Sequence, residues 1–341
     1  MKICVCGAQV PFMRGGAELH QENLVEALTR AGHDTELVRL PTAWDRARIF
    51  DAALAWRLVP IDADLVIATN FPSYFVRHPR KRVWLFHQHR AAYDAADSPW
   101  TDFTLDPEAL EAQRLLVQWD NVALEEAERR FTTSREVALR LEHFNGIDGA
   151  PLYHPPPLHD RLHEGPFGDY VFSPTRLEHN KRPDLLVDAI PHLASGTRVV
   201  IAGRGTMRDS LVARARSAGV AARLELPGFV PDEELVALYA GALGVVYVPF
   251  EEDYGYVTLQ AFLAGKPVIT APDSGGVLEW VEHGVTGLVT DGSPASIAAA
   301  IDQLATDPEA AARMGAEGRR RASVLSWERV VAALLGGAGR R

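Results

Sequence analysis

Short apolar runs alternate with amphipathic stretches along this chain. The runs are rich in Val, Ile and Leu and end near Gly or Pro, which predicts buried strands. The stretches between them place apolar residues at helical spacing, as Leu24 and Leu28 do ahead of Gly32. In the first half, the predicted strands are 2–9, 35–40, 64–69, 82–88, 131–134 and 152–154, and the predicted helices are 17–31, 44–58, 107–130 and 135–144. This alternation predicts an α/β protein built on a parallel sheet.

The alternation resumes after a proline-rich segment in the middle of the chain. Three prolines at 155–157 precede the sequence HDRLHEGPFGD, a composition typical of a linker. A strand begins near Tyr170, and the further predicted strands are 198–203, 223–230, 244–249 and 267–270. The predicted helices are 255–264, 277–283, 294–305, 308–322 and 327–335, with others beginning near 183, 206 and 231. We therefore expect two domains, residues 1–157 and 168–323.

Length and charge narrow the classes of protein that fit this pattern. A chain of 341 residues with 47% hydrophobic content is long enough for two ordinary cores. The net charge of −10 argues against a general nucleic-acid binder. We expect a soluble, cytoplasmic protein, because no apolar run approaches a membrane span and the chain opens directly on a strand. Cys4 and Cys6 alternate on that strand, which favours small core residues over a metal or redox site.

Residues 244–292 carry the clearest chemical signal. A buried strand leads into an acidic loop with Glu252, and a helix then opens at Gly255. Such a helix start offers unpaired backbone N–H groups and a positive dipole end, which suit a phosphate or diphosphate. Gln260 follows Glu252 by eight positions, or ~12 Å along a helix, so the two side chains could bracket a ligand.

The first half carries a weaker signal at the end of one predicted strand. His87 follows the run RVWLF, and a residue at the carboxyl end of a parallel strand faces the crevice where ligands bind. His89 is a poorer candidate on the same face, and Arg90 or Asp94 could face an acceptor. The GxGxxG spacing of a dinucleotide fold is absent from the first strand–loop–helix unit, which counts against an NAD enzyme.

Several of these segments together resemble a known enzyme family. GKPVI at 265–269, SGG at 274–276, Glu279 and GVTGLV at 284–289 resemble the donor half of the family-four retaining glycosyltransferases, or glycosyl transferases group 1. The resemblance implies the GT-B architecture, with two Rossmann-like domains facing across a cleft. It places the acceptor on the first domain and the nucleotide sugar on the second, with a C-terminal helix within 324–341 packing back on the first.

The resemblance also implies roles for individual residues. In this family an Arg and a Lys in R-x4-K spacing hold the donor diphosphate, and Arg176 and Lys181 match them. Glu252 is expected to bind the hydroxyls of the transferred sugar, and His87 to lie close to that sugar and the reacting oxygen. The expected donor-binding residues are Gly15, Gly16, Gly203, Gly205, Gly228, Val230, Gly255, Tyr256, Val257 and Gln260.

One of these residues departs from the family pattern. Gln260 stands where the family has a second glutamate, which contacts the donor ribose. A neutral acceptor contributes ~0.5–1.5 kcal/mol net, against ~1.5–3 kcal/mol for a charged one. We therefore expect weaker donor binding with the chemistry intact, and tighter binding in Gln260→Glu.

The expected function is retaining, metal-independent transfer of a sugar from a UDP- or GDP-type donor to a hydroxyl acceptor. The acceptor could be a glycan, a natural product such as an antibiotic, or a lipid-linked molecule. No cofactor and no metal are expected, because the sequence holds no Asp-x-Asp at a strand end and fixed cations can meet the leaving charge. Trp44 and Trp56 beside arginines leave a weak contact with a membrane surface open. The alternatives are a non-hydrolysing nucleotide-sugar epimerase of the same architecture and an inactive, sugar-nucleotide-binding paralogue.

Overall fold

The computed structural model describes residues 1–12, 14–42, 44–96, 98, 101–103 and 106–336. The chain divides into two compact units. The first unit comprises Met1–His154 and Ser326–Arg341, and the second comprises Pro155–Leu325. Each unit contains one six-stranded sheet in which all neighbouring strands run parallel.

The sheet of the first unit has the strand order β2-β1-β3-β4-β5-β6. Its strands are β1 (Lys2–Gln9), β2 (Asp34–Pro41), β3 (Leu65–Ala68), β4 (Lys81–Leu85), β5 (Arg129–Thr132) and β6 (Ala150–Pro151). Its helices are α1 (Gly16–Arg30), α2 (Ile49–Leu58), α3 (Pro107–Glu125) and α4 (Arg135–Asn145), with α11 (Trp327–Leu335) added from the end of the chain.

The period-two alternation of β1 divides the core of the first unit between two faces of the sheet. Ile3 and Val5 pack in one cluster with buried residues of α1 and α11. Cys4 and Cys6 pack on the opposite face in a cluster with residues of α2, α3 and α4. Both cysteines are free and buried, as the alternation in the sequence predicts.

The sheet of the second unit has the strand order β9-β8-β7-β10-β11-β12. Its strands are β7 (Tyr170–Pro174), β8 (Arg198–Ala202), β9 (Leu224–Gly228), β10 (Gly244–Val246), β11 (Val268–Thr270) and β12 (Gly287–Val289). Its helices are α5 (Pro183–Ala189), α6 (Arg208–Ser217), α7 (Asp232–Gly241), α8 (Tyr256–Leu263), α9 (Pro294–Thr306) and α10 (Pro308–Ala322). This strand order is the Rossmann 3-2-1-4-5-6 order, and it reverses direction between β7 and β10.

Four predicted elements differ from the structure by more than their end residues. The strand expected over 152–154 lies instead at Ala150–Pro151 (β6), because its partner strand β5 ends at Thr132, opposite Pro151. The helix expected over 44–58 begins only at Ile49. Trp44 lies outside it and stacks on His89 with ring centroids 5.6 Å apart, and the Arg46 N–H donates to Asp102 Oδ2 at 2.6 Å. The helix expected over 107–130 ends at Glu125, and the polar strand β5 follows it. The helix expected over 277–283 is a single 3-10 turn, Gly275–Glu279.

The segment expected to be a linker, residues 155–167, is part of the second unit and packs within it. The carbonyl oxygens of Gly165 and Pro166 accept hydrogen bonds from Lys266 Nζ at 2.9 and 3.0 Å. The same ammonium lies 4.0 Å from the centroid of the Phe167 ring. The main-chain carbonyls at the end of this segment therefore accept hydrogen bonds from a buried lysine.

The C-terminal helix packs on the first unit. Trp327, Val330 and Leu334 of α11 are buried in the cluster that contains Ile3 and Leu24. Arg129 Nη1 donates to the carbonyl oxygen of Ala333 at 3.2 Å. The helix expected within 324–341 is thus observed over Trp327–Leu335, and residues 337–341 lie outside the described part of the chain.

Candidate active site

Four loops of the second unit lie at the carboxyl edge of its sheet, around the point between β7 and β10 where the strand order reverses. These loops follow β7, β8, β10 and β11, and in open α/β sheets ligands bind at this carboxyl edge. The loop after β7 carries Arg176 and Lys181, and the loop after β10 carries Glu252 and ends at Gly255, the N-cap of α8. Residues that are far apart in the sequence therefore meet at a position suited to a nucleotide.

Glu252 forms the centre of this site. Its Oε2 atom pairs with Lys181 Nζ and also accepts a hydrogen bond of 2.7 Å from the Tyr247 hydroxyl. Burial raises the pKa of Glu252, but the Lys181 charge and the hydrogen bonds from Lys181 and Tyr247 outweigh it and hold that pKa below its usual value. Glu252 is consequently a carboxylate at neutral pH and acts as a hydrogen-bond acceptor.

Arg176 is exposed at the start of the loop after β7. Its charge lowers the pKa of Tyr247, although burial and the Glu252 charge dominate and raise that pKa well above 10. The Tyr247 hydroxyl therefore stays protonated and donates a hydrogen bond to Glu252. Two sequence-predicted cations and one carboxylate thus lie around a tyrosine that the sequence analysis did not select.

Arg182 ties the loops of the site together. Its guanidinium donates to both carboxylate oxygens of Asp273, at 2.7 and 2.6 Å, and to the carbonyl oxygens of Val248 and Pro249, at 2.7 and 2.8 Å. It therefore links the loop after β7 to the loops after β10 and β11. This residue was also missed by the sequence analysis, because its partners lie 66 to 91 positions away.

The glycines of the SGG segment allow close contact with the Glu252 loop. A Cβ atom on Gly276 would lie 2.6 Å from the carbonyl oxygen of Asp253, and Gly276 N donates to the Glu252 carbonyl oxygen at 2.7 Å. Gly275 has a φ of 57° and would meet the same Glu252 oxygen at 2.6 Å. A side chain at either position would displace the main chain of Glu252.

The predicted donor-binding glycines after β8 and β9 adjoin the Arg176 loop. A Cβ on Gly203 would lie 1.8 Å from the Thr175 carbonyl oxygen, and one on Gly205 would lie 2.3 Å from that of Leu177. Gly203 N donates at 2.8 Å to the carbonyl oxygen of Gly228. A Cβ added to Gly228 would have no atom within 4 Å. Gly203 and Gly205 therefore permit tight loop packing.

The side chains next to these glycines differ in exposure. Val230 is buried, whereas Phe229 is exposed and has the guanidinium of Arg204 5.5 Å from its ring centroid. At the start of α8, Tyr256 and Val257 are half-buried. The roles in donor binding assigned to these positions from the sequence stay predictions.

Gln260 makes hydrogen bonds inside the second unit at both ends of its amide. Its Oε1 accepts from the Tyr239 hydroxyl at 3.0 Å, and its Nε2 donates to the carbonyl oxygen of Pro157 at 3.1 Å. The side chain is 8% exposed. A glutamine, unlike a glutamate, satisfies the Pro157 carbonyl, which gives a structural reason for the residue found here.

His87 lies two residues after the last residue of β4, Leu85, in the first sheet. Its Nδ1 lies 2.6 Å from the carbonyl oxygen of Gln88. His89 is enclosed by aromatic rings, and burial lowers its pKa to about 4, so it is neutral at pH 7. Arg90 and Asp94 form an ion pair at 2.6 Å, and Asp94 also pairs with Arg140 at 3.3 Å.

Gly15 and Gly16 lie where α1 begins. Gly15 is the N-cap residue, with extended backbone and an N–H that donates to Glu18 Oε2 at 2.8 Å. A Cβ on Gly15 would only reach ordinary contact with that carboxylate, at 3.5 Å. The chain itself therefore does not require glycine at position 15.

The described residues offer neither a cluster of metal ligands nor a membrane-spanning helix. None of the groups of His, Cys, Asp and Glu in those parts of the chain brings three members together in a way that could hold a metal ion. No helix in the described ranges is both long and apolar enough to cross a membrane.

Comparison with known proteins identifies the second unit. Residues 165–321 match the family model described as glycosyl transferases group 1. The sequence of this part of the chain, which makes up most of the second unit, is similar to that family. The resemblance seen in GKPVI, SGG and the R-x4-K spacing is thereby confirmed for these residues.

Curated relatives share part of their length with the chain. Glycogen synthase of Mycobacterium tuberculosis is 35% identical over 163 residues, 46% of this chain and 39% of that protein. The GDP-mannose-dependent alpha-(1-6)-phosphatidylinositol monomannoside mannosyltransferase of the same organism is 39% identical over 157 residues, 42% of this chain and 40% of that protein. The matches thus span about two fifths of these relatives.

Solved structures resemble the whole chain in fold. Sucrose-phosphate synthase from Thermosynechococcus elongatus has a TM-score of 0.79 at 17% identity, covering 98% of this chain and 97% of that one. Anabaena HepE in complex with UDP-glucose has a TM-score of 0.74 at 18% identity, covering 98% of both chains. The expected fold class, α/β with two Rossmann-like domains as in GT-B glycosyltransferases, is confirmed.

Proposed function

We propose that this protein is a retaining, metal-independent glycosyltransferase that moves a sugar from a nucleoside diphosphate sugar to an acceptor hydroxyl. One observation carries the proposal: Lys181 and Glu252 pair at the strand-order reversal of the second sheet, beside Arg176 and the start of α8. Cations and a helix N-terminus suit a diphosphate, and a buried carboxylate suits sugar hydroxyls.

The proposed chemistry uses these charges directly. The bond between the anomeric carbon and the leaving phosphate oxygen breaks, and the acceptor oxygen bonds to that carbon from the same face. The acceptor proton passes to the departing phosphate. Arg176, Lys181 and the amides at the start of α8 would stabilise the negative charge that builds up on the phosphate, and such preorganised donors contribute roughly 10²–10³ in rate each.

Glu252 and His87 have separate proposed roles. Glu252 would accept hydrogen bonds from the sugar hydroxyls, because its charged form is favoured in the site. For His87 we propose contact with the transferred sugar, a role that rests on its place at the end of β4 and on the family resemblance. Since fixed cations meet the leaving charge, we propose that transfer needs no divalent ion.

The relatives support the proposed classes of donor and acceptor. One solved relative holds UDP-glucose, and one curated relative is named for its dependence on GDP-mannose. The names of the two curated relatives point to glycogen and to a phosphatidylinositol mannoside. We propose a UDP or GDP sugar as donor and a hydroxyl of a glycan, a natural product or a lipid-linked molecule as acceptor.

The first test is a thermal shift of the EDTA-treated protein with UDP, GDP, TDP, ADP and their common sugars. A ligand at 100-fold its Kd adds ~2.7 kcal/mol of stability. We expect one base to raise Tm clearly, and we expect Arg176→Ala and Lys181→Ala to reduce that shift. The exposed Arg216→Ala on α6 is the matched control and is expected to behave as wild type.

Turnover then separates the alternatives. The donor so identified is incubated, in EDTA, with and without panels of hydroxylated acceptors, and the products are separated by mass and by chromatography. A glycosylated acceptor with retained anomeric configuration supports the proposal. Conversion of the donor to an isomeric sugar nucleotide without acceptor would instead indicate an epimerase, and binding without turnover on any panel would indicate an inactive paralogue.

A further inference from the structure

Glu252 receives hydrogen bonds from two different donors at the same atom. The Lys181 ammonium and the Tyr247 hydroxyl both meet Glu252 Oε2. Resting on the function proposed above, we propose that Tyr247 is a positioning residue that holds the Glu252 carboxylate in place when Lys181 turns to a donor diphosphate. Tyr247 itself would touch neither the sugar nor the phosphates.

The tyrosine is fixed more firmly than the lysine. Tyr247 is 5% exposed, and its backbone N donates to the Ile269 carbonyl oxygen of β11 at 2.9 Å. Its ring lies against Gly255, whose Cβ position is 3.7 Å from Tyr247 Cε1. The strand fixes the main chain of Tyr247, and its buried side chain places the hydroxyl next to Glu252.

Lys181 can leave Glu252 more easily. It ends the 3-10 turn His179–Lys181 in a loop, and its ammonium sits on a flexible four-carbon stem. A diphosphate carries more negative charge than one carboxylate and would attract this cation. The neutral Tyr247 hydroxyl has no such reason to move, since burial keeps it protonated. It therefore remains as a donor to Glu252 in the loaded site.

The proposal separates binding of the sugar from binding of the diphosphate. Glu252 is assigned to the sugar. Loss of the Tyr247 hydroxyl should therefore weaken the binding of a nucleoside diphosphate sugar and leave the binding of the nucleoside diphosphate alone nearly unchanged. The loss of one hydrogen bond to a charged group corresponds to roughly 10- to 100-fold in affinity. We therefore expect Tyr247→Phe to lower, by this factor, the affinity for the nucleoside diphosphate sugar relative to the affinity for the nucleoside diphosphate alone.

A pH profile gives a second readout. The charged or titratable groups that act on Glu252 are Lys181, Asp253 and Tyr247: Lys181 and Tyr247 favour the carboxylate, and Asp253 disfavours it. Removal of the Tyr247 donor raises the pKa of Glu252. The acid limb of sugar-nucleotide binding should therefore move to higher pH in Tyr247→Phe, a change that simple loosening of the fold would not produce.

The experiment measures Kd by calorimetry for the pairs UDP with UDP-glucose and GDP with GDP-mannose, from pH 3.5 to 8, because the pKa of Glu252 lies below 4.5 in the wild type. The full-length wild type is compared with Tyr247→Phe and with Tyr170→Phe. Tyr170 is the matched control, because its hydroxyl donates at 2.8 Å to the Leu238 carbonyl oxygen in the same unit, away from Glu252. We expect the Kd ratio of the two ligands in each pair, and the acid limb of sugar-nucleotide binding, to change in Tyr247→Phe only.

A double-mutant cycle with Glu252→Ala decides whether Tyr247 acts through that carboxylate. If it does, Tyr247→Phe has no further effect on the ratio once Glu252 is removed. Equal effects with and without Glu252, or equal loss of both ligands of a pair, would overturn the proposal. A wild type that binds none of the four ligands would instead contradict the proposed function itself.

Discussion

Asp120 is a fully buried acid in the first unit. It accepts a hydrogen bond from the Tyr93 hydroxyl, which lies 3.4 Å from Asn145 Nδ2. Burial raises the pKa of Asp120 to about 7, and hydrogen bonding only partly offsets that effect. The neutral acid is therefore the form that the folded protein prefers.

This pKa predicts a specific dependence of stability on pH. The folded state holds the Asp120 proton up to about pH 7, whereas an unfolded chain releases it near pH ~3.9. The contribution to stability is therefore complete below pH ~4 and is lost as the pH rises to about 7. We expect Asp120→Asn to remove this loss, which amounts to at most ~4 kcal/mol at ~1.36 kcal/mol per pKa unit.

Urea unfolding at pH 5 and pH 8 measures this effect. Glu125→Gln, an exposed change on the same helix α3, is the control and should keep the wild-type dependence. If Asp120→Asn lost as much stability between the two pH values as wild type does, the assignment to Asp120 would be wrong.

Gln260→Glu is expected to lower the stability of the protein and to tighten donor binding. Gln260→Glu leaves the Pro157 carbonyl without its donor and places a carboxylate oxygen against it. An unsatisfied buried group costs ~1–3 kcal/mol, so we expect the variant to be less stable by that amount. Tighter donor binding by the same variant stays a prediction from the sequence.

Two measurements separate these effects. Unfolding without ligand reports the loss of stability, and calorimetry with UDP and GDP reports the affinity. Gln303→Glu, an exposed change on α9, is the control and should alter neither. Unchanged stability in Gln260→Glu would show that the Pro157 contact contributes little.

The loops of the site depend on one arginine that bridges three elements. Arg182→Lys keeps the charge but cannot donate to both Asp273 oxygens and to two carbonyl oxygens at once. We expect the Glu252 loop to shift relative to Lys181, with Kd for the bound nucleoside diphosphate raised about tenfold, as for loss of ~1.4 kcal/mol.

Arg198→Lys is the matched control for this change. Arg198 also pairs with two carboxylates, Asp169 and Glu225, but at the start of β8, at the amino edge of the same sheet. It should leave the nucleotide Kd within twofold of wild type. An equal effect from both variants would mean that any lost arginine pair weakens the second unit.

Local pattern predicted the regular elements well and their ends less well. Apolar runs located most of the buried strands, because burial on both faces leaves a continuous apolar sequence, but the three-residue strand β12 was not predicted. The strand β5 begins with Arg129 and Arg130, so helical periodicity alone extended the predicted α3 into these two residues, and the strand was predicted to begin only at residue 131. The segment before α2 makes long-range contacts, Trp44 with His89 and Arg46 with Asp102, which no local pattern contains.

The candidate site shows the same limit. The positions of Arg176, Lys181 and Glu252 follow from spacing and resemblance, because strand ends on one sheet edge must meet. Tyr247 reads in the sequence as one more apolar strand residue, and only its hydroxyl contact with Glu252 reveals another role. Contacts between side chains far apart in sequence are set by tertiary packing, which residue types alone do not specify.

The C-terminal helix closes the core of the first unit from the far end of the chain. The Trp327 ring lies 6.2 Å from that of Trp84 and 5.6 Å from that of His154. Since Trp327 is 5% exposed, Trp327→Ala should destabilise the first unit by ~3–5 kcal/mol. The second unit has its own core, so its nucleotide affinity should be unchanged.

Calorimetric unfolding with and without a bound nucleoside diphosphate distinguishes the two units. The ligand stabilises only the unit that binds it, so the transition that moves with ligand belongs to the second unit. We expect Trp327→Ala to lower the other transition and to leave Kd within twofold of wild type. Trp119→Ala, at a ring that is 40% exposed, is the control and should cost much less. If the ligand-responsive transition fell as far as the other one in Trp327→Ala, the two units would be one cooperative body, and α11 would support the nucleotide site as well as the first core.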